Sequence, residues 1–184
     1  ELDDWNCNEN SVSLKFNNDY DLINLNDKEN GENNWKHLDV MRVIIEVENE
    51  AIEVEDKSAT DIKNLWLEIA LFSPYENGHN IISNIPILNG KNNKLDLGYL
   101  KYGESKKEVI EFIVPISLPL THDLPNGSLW NDGAYYFNVK AHGVNLAGEE
   151  QCITDGWSAI EIDPNIYEVK IAKLENKTSK IEDN

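Results

Sequence analysis

The stretch "LDVMRVIIEVENE", residues 38–50, decides the fold class. Met41, Val43, Ile45 and Val47 fall on one side of an extended chain, and Arg42, Glu46 and Glu48 fall on the other, with Ile44 the single exception. A period of two marks a strand with one buried and one solvated face. The same period recurs in "NLWLEIALF" (64–72), "KKEVIEFIVPI" (106–116) and "GAYYFNVKAHG" (133–143). The first sets Leu65, Leu67, Ile69 and Leu71 together, the second Ile110, Phe112 and Val114, the third Tyr135, Phe137, Val139 and Ala141.

Between these runs lie "YENGHN", "LNGKNN", "KYGES", "LPNGSLWNDG" and "NLAGEE", rich in the Gly, Asn, Asp and Pro that turns require. About eight to ten strands at this spacing, without a long amphipathic helix, predict an all-β fold. The expected architecture is an immunoglobulin-like antiparallel β-sandwich over residues 1–163, opened by a polar segment, 1–10. An extension over 164–184 follows.

Composition narrows the function. The chain has 184 residues and a net charge of −18, and Arg42 is its only arginine. A surface this acidic repels phosphate backbones, which argues against nucleic-acid partners. No apolar run reaches the roughly 20 residues that span a bilayer. The chain begins at Glu1 rather than Met, the expectation for a processed or partial chain.

Cys7 and Cys152 nearly bracket the sandwich. Their spacing excludes a CxxC-type metal site. Two readings stay open: a pair of buried free thiols, or a disulfide between the N-terminal segment and a late loop, which fits an oxidising, extracellular setting.

The sequence carries no HExxH, GxSxG, Walker or GxGxxG motif, and His37, His79, His122 and His142 are isolated from one another. With 34 acidic residues, a chance carboxylate pair carries no information, so no catalytic role is expected. Five tryptophans suit a glycan-binding module if exposed. None is spaced i, i+2 along a strand face, so Trp66 and Trp157 are expected in or between the sheets, and Trp35 and Trp130 closing loops.

"NLNDKENGENNW" (24–35) resembles a calcium loop in its wealth of side-chain oxygens. Counted back from Gly31, however, Lys28 falls on a ligand position and His37 where the bidentate Glu belongs, so an EF-hand is excluded. A looser calcium site would use Asn24, Asn26, Asp27, Glu29 and Asn30. The competing reading is an Asx-rich turn. Asn126 and Asn176 head N-x-S/T sequons and are glycosylation candidates on an exported chain. In "NIYEVKIAKLE" (165–175), Tyr167, Val169 and Ile171 alternate again. Such a strand serves as an edge of its own domain, as the start of a following one, or as a subunit-contacting strand.

Taken in order, the early cysteine, "LDVMRVIIEVENE", "IKNLWLEIALFSPYENGHNI", "LDLGYLKYGESKKEVIEFIVPISLP", "DGAYYFNVKAHG" and the late "EEQC" resemble immunoglobulin-like modules of archaeal S-layer and cell-surface proteins, and more loosely CARDB-type adhesion domains. The likeness covers about residues 7 to 163. It implies a non-catalytic structural role at the extracellular cell surface. The partner would be the chain itself, in a lattice or filament, or adjacent domains of a longer chain, with calcium as a candidate cofactor. The alternative is an adhesin or binding module for a glycan or a protein.

Overall fold

The computed structural model describes residues 5–17, 22–26, 34–52, 59–75, 78–82, 85–124 and 134–164. Ten strands run in chain order: β1 (Leu14–Phe16), β2 (Leu22–Asn24), β3 (Asn34–Lys36), β4 (Val40–Asn49), β5 (Ile62–Tyr75), β6 (Gly78–Ile82), β7 (Lys94–Leu100), β8 (Ser105–Ile113), β9 (Tyr135–Asn145) and β10 (Glu150–Asp163). The only helical turn among the described residues is 3-10, Thr121–Asp123. No described helix is long and apolar enough to cross a membrane.

The strands form the two sheets of a sandwich. In the smaller sheet β8 flanks the full length of β4, while β1 and β2 follow one another along its other side. The larger sheet runs β3-β10-β9-β5, and β7 and β6 share the far side of β5. Among the described residues every pairing is antiparallel except β3 with β10. That exception arises because the chain leaves the smaller sheet after β2, lays three residues against the end of β10, and returns at β4.

The four alternating segments become β4, β5, β8 and β9, and their predicted apolar faces meet in the core. Met41, Val43, Ile45 and Val47 face Leu67, Ile69, Leu71, Phe137 and Val139 in one apolar cluster. An aromatic chain crosses the interface: Trp35 meets Phe112 edge-on at 5.6 Å, and Phe112 stacks on Phe137 at 5.7 Å. Trp35 is thus a core residue of β3 and does not merely close a loop, a correction to the sequence reading. The reason is topological, since β3 joins the larger sheet beside β10, with Trp35 opposite Ile162.

Trp66 also departs from expectation. Its neighbours Leu65 and Leu67 point inward, so the indole stands on the outer face of the larger sheet, half-buried. Two glycines answer local demands. Gly148 holds φ +86° in the turn joining β9 to β10, a conformation that suits glycine. A Cβ on Gly143 would lie 2.3 Å from Ile62 Cγ2, where β5 bulges towards β9.

Most of the polar opening segment 1–10 is described, and with the residues that follow it, to 13, it forms a strap across the outer face of the larger sheet. Trp5 packs edge-on against Phe72 at 5.7 Å, in a second apolar cluster with Ala70 and Tyr136. Cys7 and Cys152 are disulfide-bonded, their Cα atoms 5.7 Å apart. Ser11 donates its N–H to the Cys152 carbonyl at 2.8 Å and its hydroxyl to Gln151 at 2.6 Å. The strap then enters the smaller sheet as β1.

Candidate functional site

The outer face beneath the strap is built from cross-strand rows. Register places Asp96, Trp66, His142 and Cys152 in one row across β7, β5, β9 and β10, and Lys94, Glu68, Lys140 and Thr154 in the next. Such lateral neighbours on one pleated face are close enough to interact. Trp66 stacks on His142 with centroids 3.9 Å apart, and the Lys94 ammonium lies 4.4 Å from the Trp66 ring centre. The indole is therefore already engaged by an imidazole and a cation.

Glu68 stands between two lysines yet pairs with neither. One oxygen accepts from Asn93 Nδ2 at 3.4 Å, and the other lies 3.4 Å from His142 Nε2. That imidazole nitrogen is at ion-pair distance but lacks hydrogen-bond geometry. Burial lowers the His142 pKa below its ordinary 6.5, and the Lys140 charge lowers it further against the opposing pull of Glu68. Lys140 is only 7% exposed. Its ammonium leans over the Trp5 ring at 5.1 Å and makes no ion pair among the described residues. Burial lowers its pKa as well.

Between strap and sheet lies a cleft of about 810 Å³. The strap contributes residues 6–12, including Asn6, Asn8 and Asn10; the sheet contributes Lys140, His142, Glu149, Glu150, Gln151 and Cys152. Sequence reasoning missed this cluster because its members are far apart in the chain. The available signal was the outward placement of Lys140 and His142 on β9 beside an outward Glu68 on β5.

A second surface follows β8. Val109 is 40% exposed within the strand, and Leu88 (53%), Leu38 (63%) and Ile116 (70%) flank it. Leu88 N–H donates to the Glu111 carbonyl, and Leu38 N–H to the Val114 carbonyl, so both are fixed beside β8 and its continuation. The half-buried Ile44 pairs with Val109 across the sheet. Leu38 adopts φ +69°, a left-handed conformation that is costly for a bulky residue. The edge of β8 is partly covered: Asn89 Nδ2 donates to the Val109 carbonyl, and Ile87 bridges Phe112.

The remaining sequence candidates fall elsewhere. Asn24 is buried at the end of β2. Its Nδ2 donates to Asp39 at 2.7 Å and to the Asn34 carbonyl at 3.2 Å, and its Oδ1 accepts the Asn26 N–H at 3.0 Å. Asn26 Oδ1 accepts the Val40 N–H at 2.8 Å. The Asn24–Asn26 bond has the spacing of an Asx turn, and the others tie the turn to the start of β3 and β4. Asp27, Glu29 and Asn30 lie outside the described residues, as do Trp130, the sequons at Asn126 and Asn176, and the strand candidates Tyr167, Val169 and Ile171. Trp157 pairs with Phe137 through its backbone. No group of three or more His, Cys, Asp or Glu among the described residues is placed to hold a metal ion.

No protein-family model and no curated protein matches the chain. Among solved structures it is similar to Spo0M, a sporulation control protein from Bacillus subtilis, at 13% identity and a TM-score of 0.44. The match covers 90% of this chain and 56% of that one, so the chain spans little more than half the length of that protein.

Proposed function

We propose that the chain is a structural component of an extracellular cell surface, an S-layer-like or filamentous building block that associates laterally along β8. The observation that carries this reading is the set of exposed apolar side chains on and beside β8, Val109 within it and Leu38, Leu88 and Ile116 around it, in an otherwise strongly charged protein. A single apolar residue on a surface needs no explanation, but four gathered around one strand mark an interaction site. Leu38 strengthens the case. An exposed leucine held at positive φ is costly twice over, and strain of this kind clusters where function retains it.

The partner is a second copy or an adjacent module of the same kind. Residues 87–89 partly cover the β8 edge, so docking proceeds by side-chain packing over β8 rather than by strand addition there. The Cys7–Cys152 disulfide supports an oxidising, extracellular location. Calcium enters only as a bridging cation between acidic surfaces.

Negative-stain electron microscopy of the purified chain tests the reading, with millimolar calcium and with chelator. Sheets or filaments in either condition are expected. Dispersed particles in both, at high protein concentration, would remove the assembly role.

A further inference from the structure

The geometry points to the cleft under the strap as a binding site for a hydroxylated monocarboxylate of the uronic acid class, with its carboxylate paired to Lys140. This goes beyond the assembly reading and does not rest on it.

Lys140 is the starting point. Its stem is packed into the sheet face, its ammonium keeps access to water in the cleft, and no ion pair holds it among the described residues. The natural partner is Glu68, directly across the strand pair, but its oxygens are turned to Asn93 and His142. What Lys140 has instead is the face of Trp5 and a place in the cleft wall. A cation held over a ring, with no carboxylate bonded to it among the described residues, is open to an anion from outside.

The rest of the lining selects the kind of anion. Glu9, Glu149 and Glu150 share the cleft with that one lysine. A phosphate, a sulfate or a polyanion would meet three carboxylates for one ammonium. An apolar acid would bring hydrocarbon against Asn6, Asn8 and Asn10 of the cleft wall. A neutral sugar would leave Lys140 unpaired. A sugar acid satisfies all three sets. It carries a single charge for Lys140 and hydroxyl donors for the glutamates, and its hydroxyls and ring oxygen suit the amides. The volume lies within the range of small-ligand sites, with room for a monosaccharide or the end of a chain. Both disulfide cysteines line the cleft, so the bond holds its two walls together.

The test is calorimetric titration of the full chain with D-galacturonate, its trimer, D-galactose and sulfate. Saturable heat with galacturonate is expected, and weak or no heat with galactose or sulfate. Tighter binding of the trimer would assign the site to a polymer end, and equal binding to the free sugar acid. Lys140→Met should lose at least about tenfold in affinity, while its Tm stays level, since the ammonium makes no ion pair among the described residues. Lys140→Arg should retain binding. If Lys140→Met fails to fold, NMR titration of the wild type decides: the Lys140, Asn6, Asn8 and Asn10 signals should move. Absence of saturable galacturonate binding, equal binding of galactose or sulfate, full affinity in Lys140→Met, or shifts confined to other faces would each overturn the assignment.

Discussion

At residue scale, His142 gives the protein a pH dependence whose sign follows from its surroundings. Burial first, then the charge of Lys140, holds its folded pKa below 6.5, the value it approaches when the chain unfolds. The unfolded chain therefore binds more protons than the folded one as pH falls below about that value. The stabilising contribution of the neutral imidazole is present above pH 6.5 and is lost on acidification. Thermal melts of wild type and His142→Phe, compared above and below pH 6.5, should show a smaller acid-induced drop in Tm for the variant. Equal drops would mean that other groups carry the effect. Asn24 gives a second residue-level prediction. Asn24→Ala removes the side-chain donor to the buried Asp39 carboxylate, leaving it the Lys36 N–H. A loss of about 1–3 kcal/mol in denaturant unfolding is expected. The loop 24–35 shows what the sequence conveyed at this scale. Its oxygens and its terminal Trp were plain to read. That two of the asparagines bond to nearby backbone, and that Trp35 reaches the core, depended on where the returning chain meets β10.

At the scale of elements, alternation was a reliable guide wherever a strand had one wet and one dry face. β4 and β9 present the expected residues inward because a slip of one position would bury charges. The same logic failed for the strap, which has no periodicity of apolar residues and is fixed by one tryptophan, one disulfide and the bonds of Ser11. Replacing both cysteines by serine should cost about 2–4 kcal/mol and make the strap a site of rapid proteolysis before global unfolding. Resistance equal to wild type would show that Trp5 and Ser11 suffice. Gly143→Ala tests the bulge of β5. Its Cβ would press on Ile62, and a loss of about 1–3 kcal/mol is expected. The parallel β3–β10 pair could not be read from either segment alone, since three residues of "NWK" carry too little pattern to name a partner strand.

For the whole molecule, the governing terms are a net charge of −18 and the apolar row beside β8. The two oppose each other in association. Like-charged copies repel, and salt screens that repulsion over a distance of about 10 Å at 0.1 M. Self-association should therefore strengthen as ionic strength rises, the reverse of an assembly held by surface ion pairs. Leu38→Asn should relieve the left-handed backbone and raise monomer stability by a fraction of a kcal/mol, up to about 1, while weakening association. A residue kept for packing within the monomer would behave otherwise. The acidity and the sandwich were legible in the sequence. The stripe was not, because Leu38, Leu88, Val109 and Ile116 come from three separate chain segments and only the fold aligns them. The most direct test is sedimentation velocity of the full chain across a concentration series at moderate salt, beside Val109→Lys. Concentration-dependent growth is expected for wild type and a monomer for the variant. A wild-type chain that stays monomeric throughout, or a variant that associates equally well, would contradict it.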